Sequence, residues 1–179
     1  RTDGWAVGGD GAGAWVLHWD GTAWTRVPAP EVIGLRAVTM TGADTGWAVG
    51  EDGTILRWEG RGWSLAPTPT SLRLESVAAV APDDAWIVGW QGLALHWDGA
   101  AWSEVAGRRD IELAAVAMRS VADGWAVGEG ILHWNGSTWA RTPEPSPRTL
   151  RALALAPGGG AWAVGEGGWI LSWDGRSWS

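Results

Sequence analysis

Residues 46–63 read Gly-Trp-Ala-Val-Gly-Glu-Asp-Gly-Thr-Ile-Leu-Arg-Trp-Glu-Gly-Arg-Gly-Trp, and the chain states this pattern five times. The opening recurs at residues 4–8, 46–50, 85–89, 124–128 and 161–165, each time with Trp second and Val-Gly last. The close recurs at 19–24, 58–63, 97–102, 134–139 and 173–178: a Trp, then Asp, Glu or Asn, a Gly, two free positions and a second Trp. The opening Trp falls at 5, 47, 86, 125 and 162, so the period is 42, 39, 39 and 37 residues. A period near 40 built from short apolar runs points to a propeller or a solenoid.

A second repeated segment lies between the first. It runs Leu-Arg-Ala-Val-Thr-Met at 35–40, Leu-Glu-Ser-Val-Ala-Ala at 74–79, Leu-Ala-Ala-Val-Ala-Met at 113–118 and Leu-Arg-Ala-Leu-Ala-Leu at 150–155. Its first and fourth positions are apolar and the others mostly small, as for a strand in a crowded place. Each unit then predicts four strands, written for the second unit as A (35–40), B (46–50), C (54–58) and D (63–66). Gly- and Asp-rich joints separate them. Pro-rich stretches at 28–30, 67–69 and 143–147 follow strand D and mark an edge strand's end, because Pro cannot donate to a ladder. Four short antiparallel strands per unit is the propeller pattern. The expectation is an all-β chain: one β-propeller domain over 1–179 of about five blades, in units of about 1–30, 31–69, 70–107, 108–147 and 148–179. The first blade lacks strand A and the last stops just inside strand D. A five-bladed ring is the first reading, a segment of a six- to eight-bladed propeller the second. Without an initiating Met, the chain reads as a mature or excised piece, so a larger parent chain and an oligomer both stay open.

Composition narrows the function classes. The 179 residues carry a net charge of −7, with all 13 basic residues Arg and the acids spread along the chain. No basic patch is available for a nucleic acid or an anionic membrane. The absence of Cys removes disulfides and thiolate chemistry. No apolar run reaches the length of a membrane span. Eighteen Trp with neither Phe nor Tyr fit a repeat whose aromatic positions were copied by duplication. Fifteen of them occupy repeat positions and are expected between blades.

The run Asp-Thr-Gly-Trp-Ala-Val-Gly-Glu-Asp-Gly-Thr-Ile-Leu-Arg-Trp at 44–58 with its following Gly-x-x-Trp resembles the propeller repeats of the photosystem II stability/assembly factor type. These are related to the Asp-box (BNR) repeats of sialidases and sortilin-like receptors. Similar Trp-rich repeats occur in bacterial surface or secreted proteins, so the resemblance implies an extracellular or cell-surface place. It covers essentially the whole chain and implies the fold far more than the activity. It also places the box acid in the C–D hairpin, at Asp20, Glu59, Asp98, Asn135 and Asp174. The exchange for Glu and Asn reads as turn formation, not catalysis, and Trp stands where the box usually has Ser.

No catalytic set emerges. A sialidase needs a Tyr nucleophile, and a glycosidase needs two carboxylates across one bond, whereas these acids recur at turns. His18, His96 and His133 occupy one repeat position in three blades, shared with Arg57 and Ser172, so they cannot converge on one metal. No cofactor is expected. Asp10, Glu51, Asp52, Glu129 and Glu166 follow strand B and read as loop charge, with a cation or ligand site as the alternative. The repeat leaves three aromatics unexplained: Trp15, Trp90 and Trp169, all at the B–C joint. Trp15 and Trp169 would approach each other if five blades closed a ring. As rigid aromatics they are the ligand-binding candidates. The functional expectation is a non-enzymatic propeller that binds a glycan or a protein. A structural or assembly module completed by strand pairing with another chain is the alternative, and a glycan-cleaving enzyme comes third.

Overall fold

The computed structural model describes residues 3–10, 13–105, 109–145 and 148–179. The last two residues of the 143–147 stretch lie outside the described residues. The strands group into five antiparallel sheets that follow chain order. Blade 1 holds β1 (Gly4–Gly9), β2 (Ala14–Trp19) and β3 (Trp24–Val27). Blade 2 holds β4 (Leu35–Met40), β5 (Gly46–Gly50), β6 (Ile55–Trp58) and β7 (Trp63–Leu65). Blade 3 holds β8 (Leu74–Ala81), β9 (Asp84–Gly89), β10 (Ala94–Trp97) and β11 (Trp102–Glu104). Blade 4 holds β12 (Leu113–Ser120), β13 (Asp123–Gly128), β14 (Ile131–Trp134) and β15 (Trp139–Arg141). Blade 5 holds β16 (Leu150–Leu155), β17 (Ala161–Gly165) and β18 (Ile170–Trp173), with a single Trp173–Trp178 bridge beginning a fourth strand. The five four-stranded units with incomplete ends stand as expected from the repeat.

The small residues of strand A have a clear use. β4, β8, β12 and β16 pack successively against one another at the inner edge of the blades. Ser76 bridges two of them, its Oγ accepting the Val116 N–H at 3.2 Å. Crowding is greatest where strand B ends. A Cβ on Gly50, Gly89, Gly128 or Gly165 would lie 1.9–2.4 Å from a carbonyl oxygen of the chain entering strand A. That carbonyl, on Gly34, Arg73, Glu112 or Thr149, accepts the N–H of the residue after the Gly at 2.9–3.1 Å. The Gly therefore lets the B–C turn lie directly on the segment that enters its own blade.

Four apolar cores join five blades, and one rule builds them. The strand-B Trp of each blade packs against both hairpin Trp of the next blade. Trp47, for example, lies 4.9 Å from Trp97 and 5.0 Å from Trp102 between ring centroids. Strand-B Val and the residue opening strand C join it from the leading blade, as Val49 and Ile55 do. The following blade answers with the first Leu of strand A and the Leu of strand C, as Leu74 and Leu95 do. No core among the described residues joins blade 5 to blade 1. Trp162 is 52% exposed where Trp47 is fully buried, and Trp24 is 50% exposed where Trp63 is 6% exposed. The ring of the first reading is thus left open between its end blades.

Candidate functional site

Each inter-strand joint is shaped by its sequence. In blades 2, 3 and 5 the B–C joint is a 3-10 turn: Glu51–Gly53, Trp90–Gly92 and Glu166–Gly168. Its middle residue has positive φ, 51° at Asp52, 54° at Gln91 and 70° at Gly167. These turns share one side of the blades with the segments that enter strand A, because the start of A pairs with the end of B.

Trp90 opens such a turn and is exposed. The Arg73 guanidinium lies over its ring, 3.9 Å from the centroid. Arg73 also pairs with Glu75 at 2.5 Å, and Arg36 of blade 2 reaches both Glu75 (3.4 Å) and Glu51 (2.6 Å). The Arg36–Glu75 pair therefore links blade 2 to blade 3. Glu129 accepts the Glu112 N–H at 3.0 Å, and Arg151 pairs with Glu166. Trp90, Arg36, Arg73, Glu75, Glu112 and Arg151 line one cavity of about 530 Å³. Three of its lining residues are Arg and three are Glu. Partly exposed pairs of this kind contribute about 0–1 kcal/mol each, so the ladder orients side chains more than it stabilises the fold.

The other two aromatics lie elsewhere. Trp169 is half-buried on the core between blades 4 and 5, with the Arg148 guanidinium 5.4 Å from its ring. The equivalent Leu93 is buried against blade 2 in the same way. Trp15 occupies that position in blade 1, where none of the described residues packs over it as blade 2 does over Leu93, and it is exposed. It lines a second cavity of about 600 Å³ with Arg26 and the Pro28-Ala-Pro30 stretch. Trp15, Trp90 and Trp169 thus share the B–C side but belong to three blades. The ladder Arg36, Arg73 and Arg151 was not singled out from the sequence. Its signal is an Arg directly flanking the first Leu of strand A in blades 2, 3 and 5.

On the opposite side the acids are committed to structure. Asp20 Oδ1 accepts the Thr22 N–H and hydroxyl, both at 2.7 Å, and the Ala23 N–H at 2.9 Å. Asp98, Asn135 and Asp174 accept the equivalent backbone N–H groups. The Gly after each has φ between 90° and 99°. The Thr22 hydroxyl, then the backbone donors of Ala23 and Thr22, hold the Asp20 carboxyl down at about 2. Asp98 and Asp174 are lowered by their backbone donors, chiefly those of Ala101 and Ser177. The turn-forming role expected of the hairpin acids is what Asp20, Asp98, Asn135 and Asp174 perform. Glu59 has one methylene more and lies beside Arg57 at 3.6 Å.

Each His belongs to its own blade. His96 and His133 stack on Trp86 and Trp125 at 4.5 and 4.3 Å and reach Asp84 and Asp123 at 3.3 and 2.7 Å. His18 does the same with Trp5 and Asp3. Among the described residues no group of three or more His, Asp or Glu is placed to hold a metal.

No family model and no curated protein matches the chain. Solved structures do match. YCF48 bound to D1 peptide aligns with a TM-score of 0.67 at 20% identity, over 81% of this chain and 54% of that one. YCF48 from Cyanidioschyzon merolae gives 0.61 at 19%, over 81% and 55%. U3-55K gives 0.65 at 16%, over 81% and 50%. These neighbours are β-propellers, and the likeness shows that this chain has the propeller fold. The chain spans about half the length of the structures it matches.

Proposed function

We propose that this propeller is a non-catalytic scaffold that holds a protein segment against the B–C side of its blades. The observation that carries the reading is the cavity at Trp90, where an exposed indole stacked on Arg73 stands among three Arg and three Glu. Balanced charge of this kind suits a peptide with side chains of both signs and a polar backbone. It does not suit a polyanion, which needs a basic surface. Rigid strands and turns position the groups, so little side-chain freedom is lost on binding. One structural neighbour was solved with a peptide bound, which supports a peptide as the ligand class. The hairpin acids contribute to the non-catalytic reading, since they are occupied by backbone donors.

A glycan is the second reading, because exposed indoles at Trp15 and Trp90 offer flat apolar faces. The test is selection from a displayed peptide library, run beside a glycan array, on wild type and on Trp90→Ala and Arg73→Ala variants. Peptides that enrich on wild type and bind the variants roughly tenfold or more weakly support the proposal. Glycans retained in place of peptides would move the assignment to the second reading. Enrichment unaffected by either substitution would put the site elsewhere.

A further inference from the structure

Blade 4 lacks one side chain that blades 2 and 5 supply at the same place. On the B–C side the first Leu of strand A pairs with the Gly that ends strand B: Leu35 with Gly50, Leu113 with Gly128, Leu150 with Gly165. The residue after that Leu then stands beside the residue after that Gly. In blades 2 and 5 these are Arg36 with Glu51 and Arg151 with Glu166, and each forms an ion pair. Blade 4 keeps the backbone of the arrangement. The Glu129 N–H reaches the Glu112 carbonyl at 2.9 Å, as those of Glu51 and Glu166 reach Gly34 and Thr149 at 3.1 and 3.0 Å. It keeps the acid as well, but Ala114 stands where the Arg would be. The Glu129 carboxylate is left with the Glu112 N–H, at 3.0 Å. Glu112 adds a second acid beside it, whose Oε2 is buried without a donor. Among the described residues no Arg or His forms an ion pair with Glu112 or Glu129.

The other charges of the Trp90 cavity are matched. Arg36 and Arg73 share Glu75, and Arg151 holds Glu166. The charge left over is negative, and it lies in blade 4 on a cavity that Trp90 also lines. The Trp90–Gly92 turn packs against β12, the strand that carries Ala114. Resting on the reading that the B–C side holds a peptide, we propose that the space over Ala114 receives an arginine side chain of that peptide. Its guanidinium takes the place on Glu129 that Arg36 takes on Glu51 and Arg151 takes on Glu166. Its stem lies along the Trp90 indole, a ring that already accepts the Arg73 guanidinium. A planar fork can meet Glu129 and Glu112 together, so arginine is favoured over lysine. The two complete blades are the internal template for the contact that the ligand completes.

N-acetyl-arginine amide is the probe, titrated into the chain while NMR follows the Trp90 indole N–H and the Glu129 carboxyl carbon. N-acetyl-citrulline amide, of the same shape without the charge, is the control. The arginine probe is expected to shift both groups saturably and the citrulline probe neither. Ala114→Arg supplies the pair that blades 2 and 5 already have and should abolish the response. Arg36 and Arg151 occupy that position in folded blades, so circular dichroism should show the fold retained. Glu129→Gln removes the charge but can still accept the Glu112 N–H, and it should weaken binding roughly fivefold. It serves in place of Ala114→Arg if that variant misfolds. Displayed peptides that bind through Trp90 should carry a basic residue at one recurring position. An arginine probe that binds while no peptide enriches would uphold the pocket and remove the peptide reading. A silent arginine probe, with Trp90-dependent peptides that share no basic residue, would overturn the pocket and leave the peptide reading standing. Equal responses to arginine and citrulline, or a response that survives Ala114→Arg, would also overturn it.

Discussion

Trp86 of blade 3 stands edge-on to Trp139 of blade 4, ring centroids 5.4 Å apart and planes at 84°. The same T-shaped pair recurs at the other junctions at 79°, 79° and 89°. Edge-to-face packing suits the ring quadrupole and adds about 0.5–1.5 kcal/mol to area burial. The outer face of Trp86 is covered in turn by His96 of its own blade at 4.5 Å. Burial on both sides sets the first expected outcome. Trp86→Ala should cost about 3–5 kcal/mol of stability. The chemically identical Trp162→Ala, half-exposed at the open end, should cost under about 1 kcal/mol. Urea unfolding of the two variants, followed by circular dichroism, checks the contrast. Equal losses would mean that Trp162 is covered in solution.

The Gly that ends strand B makes a second expectation. In Gly89→Ala the new Cβ would sit 2.2 Å from the Arg73 carbonyl oxygen. Backbone has to move, and the Trp90 N–H bond to that carbonyl (3.0 Å) moves with it. The substitution should cost about 1–3 kcal/mol. It should also shift the Trp90–Arg73 stack, which Trp fluorescence and peptide binding would register together. The exposed Gly42, with open space where a Cβ would go, is the control, and Gly42→Ala should be close to neutral.

The fold was legible because duplication wrote the same constraint several times. Gly50, Gly89, Gly128 and Gly165 recur because each meets the same carbonyl, and the hairpin Asp and Gly recur because each closes the same turn. The His positions were half legible. Their equivalence across blades correctly kept them apart, but the partner went unnoticed. Wherever His18, His96 or His133 stands in strand C, an Asp stands two residues before the strand-B Trp: Asp3, Asp84 or Asp123. Blade 2 has Thr45 with Arg57, and blade 5 has Gly160 with Ser172. The ladder around Trp90 was less accessible. Its ion pairs join Arg36 to Glu75 across 39 positions and two blades, and no period predicts which neighbour a long side chain will choose. The exposure of Trp15 also depends on a neighbour: its repeat position is buried in blade 3 and open in blade 1.

Blade 2 departs from the hairpin rule at Glu59, and the departure is correctable. The backbone there matches the other hairpins, with the Glu59 N–H directed to the Gly62 carbonyl at 3.4 Å and Gly60 at a φ of 77°. Only the length of the acid differs. Glu59→Asp should bring a carboxylate oxygen onto the Arg61 and Gly62 N–H groups, the equivalents of the Ala100 and Ala101 N–H groups that Asp98 holds at 2.9 Å in blade 3. One such local acceptor contributes about 0.5–1.5 kcal/mol. The expected result is a higher midpoint in urea with an unchanged slope. A lower midpoint would show that the Arg57–Glu59 contact matters more than the turn.

Acid sensitivity follows from the same hairpins. Asp20 titrates at about 2, and Asp98 and Asp174 are also lowered from the usual 3.8. A carboxyl that is more acidic in the folded chain than in the unfolded one favours folding above its unfolded value. That contribution fades as the pH falls through the folded value. For Asp20 the loss therefore runs from near pH 4 down to about 2. Asn135 makes the same backbone bonds without a titrating group. A variant with Asn at 20, 98 and 174 should keep the hairpins and lose stability less steeply across that window. Melting temperatures measured at half-unit steps of pH would show the flattening, and carboxyl carbon shifts of Asp20 would show the titration directly. A variant as steep as wild type would show that the hairpin carboxyls do not set the acid sensitivity.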